Sequence, residues 1–386
     1  MLPKDYITVR FPQTQDDESY QLLELPPEIL AQVEGGAVVP LTIKGRPADD
    51  SVLCTTERTY TLRAVSISNS LVVLRDAPER ARTLAIRDIC HEVLECVPTA
   101  GRVERLGTVL RESAWTGLGD DGTGSSGRKR KRGVKRYTRA QLESIVQASD
   151  GELAVALKEH NVLEVDGHML LLPPVHLAPL LGILLGIATA HGVLGAPDAD
   201  GVPTARVRAE AALDALAEHD VGAGLARGVL GLFGVVDDDE DEWTADVPAA
   251  VRELGRGLLV GLGDAKRPED EFLAEWRAQV GEAFEPAVRL DALAGDYLLS
   301  DAPPSAFAAP GKLVSFFPRA ALPPDAATRF ADLFLTRTAW RPDDMIPFLR
   351  GLFPAGDTKA RDKLVAKFVR AVKGRDGTWW HPRRTG

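Results

Sequence analysis

The sequence predicts an α+β protein: an N-terminal β-barrel-like domain followed by three tandem winged-helix domains. Three observations predict it. Short β-rich runs separated by turn residues occupy the first hundred residues. Past a Gly-rich, basic stretch the apolar period changes from that of strands to that of helices. Helices are then followed repeatedly by a short two-stranded ribbon, the order of the helix-turn-helix variant that lays its last helix on DNA. The boundaries this gives are residues 1–115 for the β domain, 116–136 for a flexible basic linker, and 137–200, 201–264 and 265–386 for the three modules.

In the β domain the candidate strands are Tyr20–Leu25, Val38–Ile43, Val52–Thr56, Thr59–Arg63 and Ser70–Leu74. The breaks between them fall at Gly35-Gly36, Gly45-Arg46-Pro47, Glu57-Arg58 and Ser68-Asn69. Several strands at this spacing suggest a barrel or sandwich. Cys90–Cys96 continues the alternation, and a short helix is expected from Val103 to Arg111. Period-two alternation puts Cys90 and Cys96 on one face and His91 on the other, so the three do not converge on a metal.

The linker contains Gly117-Leu-Gly-Asp-Asp-Gly122, which matches a nucleotide-loop string only formally, because no strand leads in and no helix follows. Its basic run, Arg128, Lys129, Arg130, Lys131 and Arg132, fits a nuclear import signal and fits a solvated linker equally well. Thr138 with Gln141, and Ser149 with Glu152, are capping boxes opening two helices, to about Ala148 and to His160. A hairpin follows around Asp166-Gly167. The apolar run Val175–Leu194 is interrupted by His176, Pro179 and His191, and Leu177–Ala190 is too short to span a bilayer, so a buried helix is expected. In the second module Val207, Ala211, Leu213, Leu216 and Ala217 mark a helix, and Leu225–Phe233 marks another. The ribbon Val235–Trp243 carries six acids at its turn, a self-repelling tip without the spacing of a calcium loop. A linking helix around Glu253–Leu262 leads to Phe272, Trp276 and Phe284.

The third module ends on the most distinctive stretch. An expected helix from about Asp325 to Thr336 carries Phe330, Leu333 and Phe334 inward, and Met345–Phe353 repeats at helical spacing. On a last helix from Asp357, the side chains of Lys359, Lys363, Lys367 and Arg370 fall within an arc of about 80°. Leu364, Val365, Phe368, Val369 and Val372 form the opposite, apolar stripe. Gly374-Arg375-Asp376-Gly377 is turn chemistry leading into Thr378-Trp379-Trp380. From Lys359 to the end there are nine Lys and Arg against two Asp, a net charge of +7, while the whole chain carries −10. Charge segregated onto one helix and its ribbon is the footprint of phosphate binding. The expected DNA contacts are Lys359, Lys363, Lys367, Arg370, Lys373, Arg375, Arg383 and Arg384. Lys359–Lys373 contains no Asn or Gln, so the contacts would position DNA without reading bases, which disfavours the alternative of a winged-helix transcription regulator.

The acidic remainder excludes a protein that coats DNA over its whole surface. Three cysteines, Cys54, Cys90 and Cys96, indicate a reducing compartment rather than a disulfide framework. The N-terminus lacks signal-peptide features. The seven histidines form no HExxH, and neither a nucleophile elbow nor a phosphate loop occurs, so no enzyme, cofactor or metal is expected.

Leu53-Cys-Thr-Thr-Glu-Arg-Thr-Tyr-Thr-Leu-Arg-Ala-Val-Ser-Ile-Ser-Asn-Ser-Leu71, preceded by Leu22-Leu-Glu-Leu-Pro26 and Leu41-Thr-Ile-Lys-Gly-Arg46, resembles the signature of the sister chromatid cohesion (Dcc) family, a subunit of the alternative replication factor C clamp loader. The likeness resumes at Phe316-Phe-Pro318, Leu322-Pro323, Arg329–Phe334 and Trp340 and ends at Arg383-Arg384. The resemblance implies a nuclear, non-catalytic protein whose β region co-folds with the large and small loader subunits, through Leu53, Thr59, Tyr60, Leu62, Asn69 and Leu71. It further implies three winged helices, contact with the catalytic subunit of DNA polymerase epsilon, binding to single- and double-stranded DNA, and an indirect link to the sliding clamp. The first winged helix, whose second helix holds Glu152, Lys158 and Glu159, is the expected polymerase contact. No membrane role is expected.

Overall fold

The computed structural model describes residues 7–11, 19–36, 38–47, 49–76, 82–118, 135–302 and 311–383. The chain divides into two compact units, one of Met1–Gly101 with Gln147–Glu152 and one of Arg102–Val146 with Leu153–Gly386.

The first unit contains β1 (Thr8–Arg10), β2 (Leu22–Glu24), α1 (Pro27–Glu34), β3 (Thr42–Lys44), β4 (Val52–Cys54), β5 (Thr59–Asp76) and β6 (Thr83–Thr99). Its sheet runs β1-β6-β5-β4-β3, with β2 on the same side of β6 as a second parallel neighbour. The expected barrel does not close: among the described residues β3 is an edge, and so is β5 from Arg63 onward, past the bond from the Leu62 amide to the Ser51 carbonyl. Ser68-Asn69, expected to be a turn, lies inside a continuous 18-residue strand. Pairing slips instead of reversing, so that the four residues Ile67–Ser70 of β5 sit opposite the single residue His91, an enlarged bulge that absorbs the polar residues without breaking the ribbon. The interval between the first two expected strands holds α1, which starts at Pro27 because proline suits a first helical position. Ile29 on that helix packs with Leu53 and Tyr60 as the buried core.

Gln147–Glu152 belong to this unit through polar bonds. Buried Lys44 donates to the Ala148 carbonyl at 2.7 Å, Gln147 donates to the Asp50 carbonyl at 2.6 Å, and the Ser149 amide donates to Thr59 Oγ1 at 2.9 Å. The expected capping box is present, with the Glu152 amide donating to Ser149 Oγ and the Ser149 amide donating back to Glu152.

Along the second unit, with the first residues of α4 counted in the first unit, one order recurs with variations: a helix, one or two strands, two or more helical segments, and a hairpin whose second strand pairs with a strand before those segments. The first set is α2 (Arg105–Leu110), the single-residue bridge Tyr137–Met169, α3 (Arg139–Ile145), α4 (Asp150–Glu159) and the hairpin β7 (Val162–Val165) and β8 (His168–Leu171). Asp166 and Gly167 both take positive φ, the mirror-image turn that a two-residue hairpin loop requires.

The second set is α5 (Pro174–His191), β9 (Val193–Pro197) with β10 (Pro203–Arg208), α6 (Ala209–Ala217), α7 (Ala223–Leu232) and the hairpin β11 (Gly234–Asp237) and β12 (Glu242–Ala245). Val207, read from sequence as helical, is in β10, where pairing with Trp243 on β12 decides its conformation. The apolar helix α5 is long enough to cross a membrane, yet Leu177, Leu180, Leu181, Leu184 and Leu185 are buried in the unit's core.

The third set is α8 (Val247–Gly261), β13 (Lys266–Pro268), α9 (Glu269–Val280), 3-10 turns at Glu282–Ala287 and Leu290–Leu293, and the hairpin β14 (Tyr297–Asp301) and β15 (Lys312–Phe316). A Cβ on Gly255 of α8 would come within 2.3 Å of the Trp276 ring on α9, so glycine permits this crossing. One core runs from Trp115 to Val314 through these sets.

The fourth set is α10 (Ala326–Thr336), the bridge Trp340–Trp380, α11 (Pro342–Met345) continued by a 3-10 turn at Ile346–Leu349, α12 (Thr358–Phe368), and the hairpin β16 (Val369–Gly374) and β17 (Gly377–Pro382). Its core of Phe330, Leu333, Trp340, Met345, Phe348, Leu349 and Val369 forms a separate cluster. Residues 265–386, expected as one module, therefore contain two hairpins, β14–β15 and β16–β17.

Candidate nucleic-acid interface

α12 begins where Asp357 accepts the Ala360 amide at 2.9 Å, an N-cap that satisfies one orphan donor. Lys359, Lys363 and Lys367 then recur every four residues, so they stand in a row about 6 Å apart along the axis. All three are exposed. The inward face, with Leu364, Val365 and Phe368, packs on the fourth-set core, and Phe368 stacks on Phe330 at 4.9 Å between ring centroids.

The helix stops at Phe368, earlier than its apolar stripe suggested. Val369–Gly374 is extended because it pairs along its whole length with β17, and β-branched Val369 and Val372 suit that pleat. Arg370 and Lys373 are therefore strand residues, and alternation turns them to opposite faces of the ribbon. The continuous four-residue helical stripe is thus corrected to three lysines on α12 with Arg370 following on β16. Arg375 lies at the hairpin turn. Among the described residues, Lys359, Lys363, Arg370, Lys373 and Arg375 have no ion-pair partner. Arg383 is differently engaged, donating to the Ala366 carbonyl at 2.7 Å and so tying the end of β17 to α12. Arg384 and the basic run Arg128–Arg132 lie outside the described residues.

Two further cations beside the ribbon escaped the sequence reading. The Arg341 guanidinium sits 5.0 Å from the Trp379 ring centre and bonds Asp376 at 3.0 Å. Arg337 sits over Trp340 and donates to the Leu299 carbonyl, closing part of the β14 edge. Hydrogen bonding from Trp379 Nε1, then from backbone, holds the Asp376 carboxyl below its ordinary range. A cavity of about 540 Å³ lies here, lined by β14, Arg337, Trp340, Arg341 and Trp379. The signal in sequence was Arg337-x-x-Trp340-Arg341 facing Trp379-Trp380, which pair only across some forty residues.

The six residues expected to meet partner subunits separate into two groups. Leu53, Thr59 and Tyr60 are buried in the first unit's own core. The Tyr60 hydroxyl donates to Glu28 at 3.0 Å, and burial together with that carboxylate pushes its pKa up to about 12. Leu62 is half-buried beside them, whereas Asn69 and Leu71 are exposed on the distal ribbon. Leu71, Val72 and Leu74 are 46%, 46% and 41% exposed, and alternation spreads them over both faces. The distal ribbon is thus apolar on both sides, and the β5 edge from Arg63 to Asp76 has no strand beside it among the described residues.

No cluster of metal-ligating side chains occurs among the described residues. Cys90 is buried, while His91 is exposed and shares a hydrogen bond with Ser70 at 3.2 Å.

Comparison with known proteins bears on residues 20–349, which match the family model of sister chromatid cohesion protein Dcc1. The zebrafish (Danio rerio) sister chromatid cohesion protein DCC1 is 24% identical over 366 residues, covering 91% of this chain and 86% of the relative. A probable sister chromatid cohesion protein DCC1 of Dictyostelium discoideum is 23% identical, covering 92% of each chain. The human protein of the same name is 23% identical, covering 90% of this chain and 84% of its own length. The family match ends at Leu349, before the lysine row of α12 begins.

Proposed function

The chain belongs to the sister chromatid cohesion protein Dcc1 family, and from that membership we propose that it is a nuclear, non-catalytic subunit of the alternative clamp loader. In this reading the first unit co-folds with the large and small loader subunits. The second unit carries winged helices that meet DNA polymerase epsilon, through the first hairpin set, and single- or double-stranded DNA, through the last. The sliding clamp is reached indirectly, and ATP hydrolysis belongs to other subunits.

The observation that carries the partner role is the β5 edge. A long strand paired on one side by β6 and, among the described residues, with no strand on the other side from Arg63 onward, apolar on both faces, is a template for strand addition. The lysine row of α12 beside Arg370 supports the DNA role, because unpaired exposed cations on a helix and its adjoining ribbon suit a row of phosphates. Lys and Arg without Asn or Gln on α12 favour recognition of DNA structure over sequence.

The test is fluorescence anisotropy of the full chain with duplex, single-stranded and junction oligonucleotides over a salt series. Four phosphate contacts by Lys359, Lys363, Lys367 and Arg370 give a log–log salt slope of about −3.6 on duplex DNA. Changing all four to Ala should flatten that slope, with little dependence on base order in the parent chain. An unchanged slope would return the row to an ordinary solvated face, and strong preference for one sequence would identify a regulator instead.

A further inference from the structure

Three arginines in the second unit, Arg252, Arg319 and Arg350, have guanidinium groups that form no hydrogen bond or ion pair among the described residues. All three line one cavity of about 120 Å³, reached from α8, from the segment after β15 and from the end of the Ile346–Leu349 turn. Arg256 and His160 share the same wall.

The carboxylates of this wall are mostly committed elsewhere. Glu253 is buried and accepts from Asn161 at 2.6 Å and from Arg256 at 3.4 Å. Asp296 takes Arg256 Nε at 3.1 Å. Among the described lining residues, exposed Glu159 is the carboxylate that remains against three unpaired guanidinium groups. The imidazole of His160 registers the resulting field. Burial, with Arg256 and Arg319 beside it, holds His160 below its ordinary range although Glu159 and Asp296 pull the other way.

Two of the free arginines hang from fixed backbone. The Arg319 amide donates to the Gly295 carbonyl at 2.8 Å, and the Arg350 carbonyl accepts from buried Arg329 at 3.0 Å. The attachment points of these side chains are therefore fixed, and only their rotamers remain to be ordered on binding.

We propose that this cavity receives a phosphate monoester on a protein partner, a phosphorylated serine or threonine side chain, held by Arg319 and Arg350 with Arg252 at the rim. A monoester brings close to two negative charges and three acceptor oxygens, which suit planar guanidinium forks. A small concave site of about 120 Å³ suits one tetrahedral group better than a run of phosphates, and the Glu159 carboxylate on its wall repels a second anion. The site is separate from the lysine row of α12 and stands whether or not that row binds DNA.

The test uses the full chain. Inorganic phosphate and O-phosphoserine are titrated while the His160 ring is followed by NMR, and degenerate peptides with a central phosphoserine are compared with unphosphorylated twins by anisotropy. The expected result is a saturable His160 shift with a raised imidazole pKa, because the added anion offsets Arg256 and Arg319. Phosphopeptides should bind at least tenfold tighter than their twins, and R319A/R350A should remove that difference. R350A alone serves if the double variant unfolds, since Arg350 is exposed and contributes only its carbonyl to the fold. K359A/K363A/K367A should leave phosphopeptide binding unchanged. A His160 signal indifferent to phosphate, or peptides that bind equally with and without it, would overturn the proposal. Displacement of inorganic phosphate by duplex DNA but not by phosphopeptide would assign the site to nucleic acid and overturn it as well.

Discussion

The two units of this chain bury their apolar residues to different degrees. The second unit has a core extending from Trp115 to Val314, with Trp243, Trp276, Phe272 and Phe284 fully buried. The first unit has Ile29, Leu53 and Tyr60 as its central cluster, while Leu71, Val72 and Leu74 on β5 and Ile43 on β3 stay exposed. A ribbon of two strands without a covered face is marginal in water. The second unit also exposes single apolar residues, Val193, Val235 and Leu335 among them, but around an extensive core; in the first unit the exposed apolar residues Leu71, Val72 and Leu74 lie together on one ribbon, the surface proposed to meet a partner.

The comparison can be broken most severely at Trp276. Its ring is buried against Gly255 and its Nε1 donates to the Val251 carbonyl at 3.0 Å. Trp276→Ala should lower the stability of the second unit by about 4 kcal/mol, through lost packing and an abandoned carbonyl. Thermal unfolding followed by circular dichroism would register it, and a change below 1 kcal/mol would mean that the core is looser than described.

The opposite behaviour is expected on β5. Leu71→Asp with Leu74→Asp should leave the isolated chain within about 0.5 kcal/mol of its parent, because neither side chain is buried. If the ribbon meets the loader subunits as proposed, their recovery on co-expression should nevertheless fall by roughly tenfold, since charges would enter a surface covered in that assembly. Undiminished recovery would separate the exposed ribbon from any partner role.

A smaller effect sharpens the comparison inside the fourth hairpin set. Asp357→Ala removes the cap of α12 and should cost about 1 kcal/mol, seen as earlier fraying of that helix by hydrogen exchange. The smallest effect is set by pH at the ribbon tip. The Asp376 carboxyl is depressed by its bond from Trp379 Nε1, so the contribution of that bond is present above the unfolded pKa of about 3.9 and is lost as pH falls through the lower folded value. Trp379 fluorescence should change below that range while the far-ultraviolet signal persists, and Asp376→Asn should abolish the step.

Features that depend on adjacent residues were legible in the sequence. The Thr138–Gln141 and Ser149–Glu152 boxes, the Asp166-Gly167 turn and the Asp357 start of α12 each rest on bonds made within four residues. What depended on distant pairing was not. Val207 carries a helix-like spacing, yet β10 is extended because β12 lies beside it. Ser68-Asn69 has turn residues, but pairing with β6 carries the strand past them. The lysine row of α12 was visible from period alone, whereas Arg341 against Trp379 required the ribbon to fold back. The cavity of Arg252, Arg319 and Arg350 was invisible for the same reason, since its arginines are spread over about a hundred residues.

The unpaired edge of β5 has a consequence for copy number. From Arg63 to Asp76, where no strand lies beside it among the described residues, it offers outward hydrogen-bonding groups to any extended chain that reaches it, including another copy of itself. In the proposed assembly, synthesis in excess of the subunit that covers this edge would favour self-association, and a balanced supply of the two chains would be the condition for avoiding it.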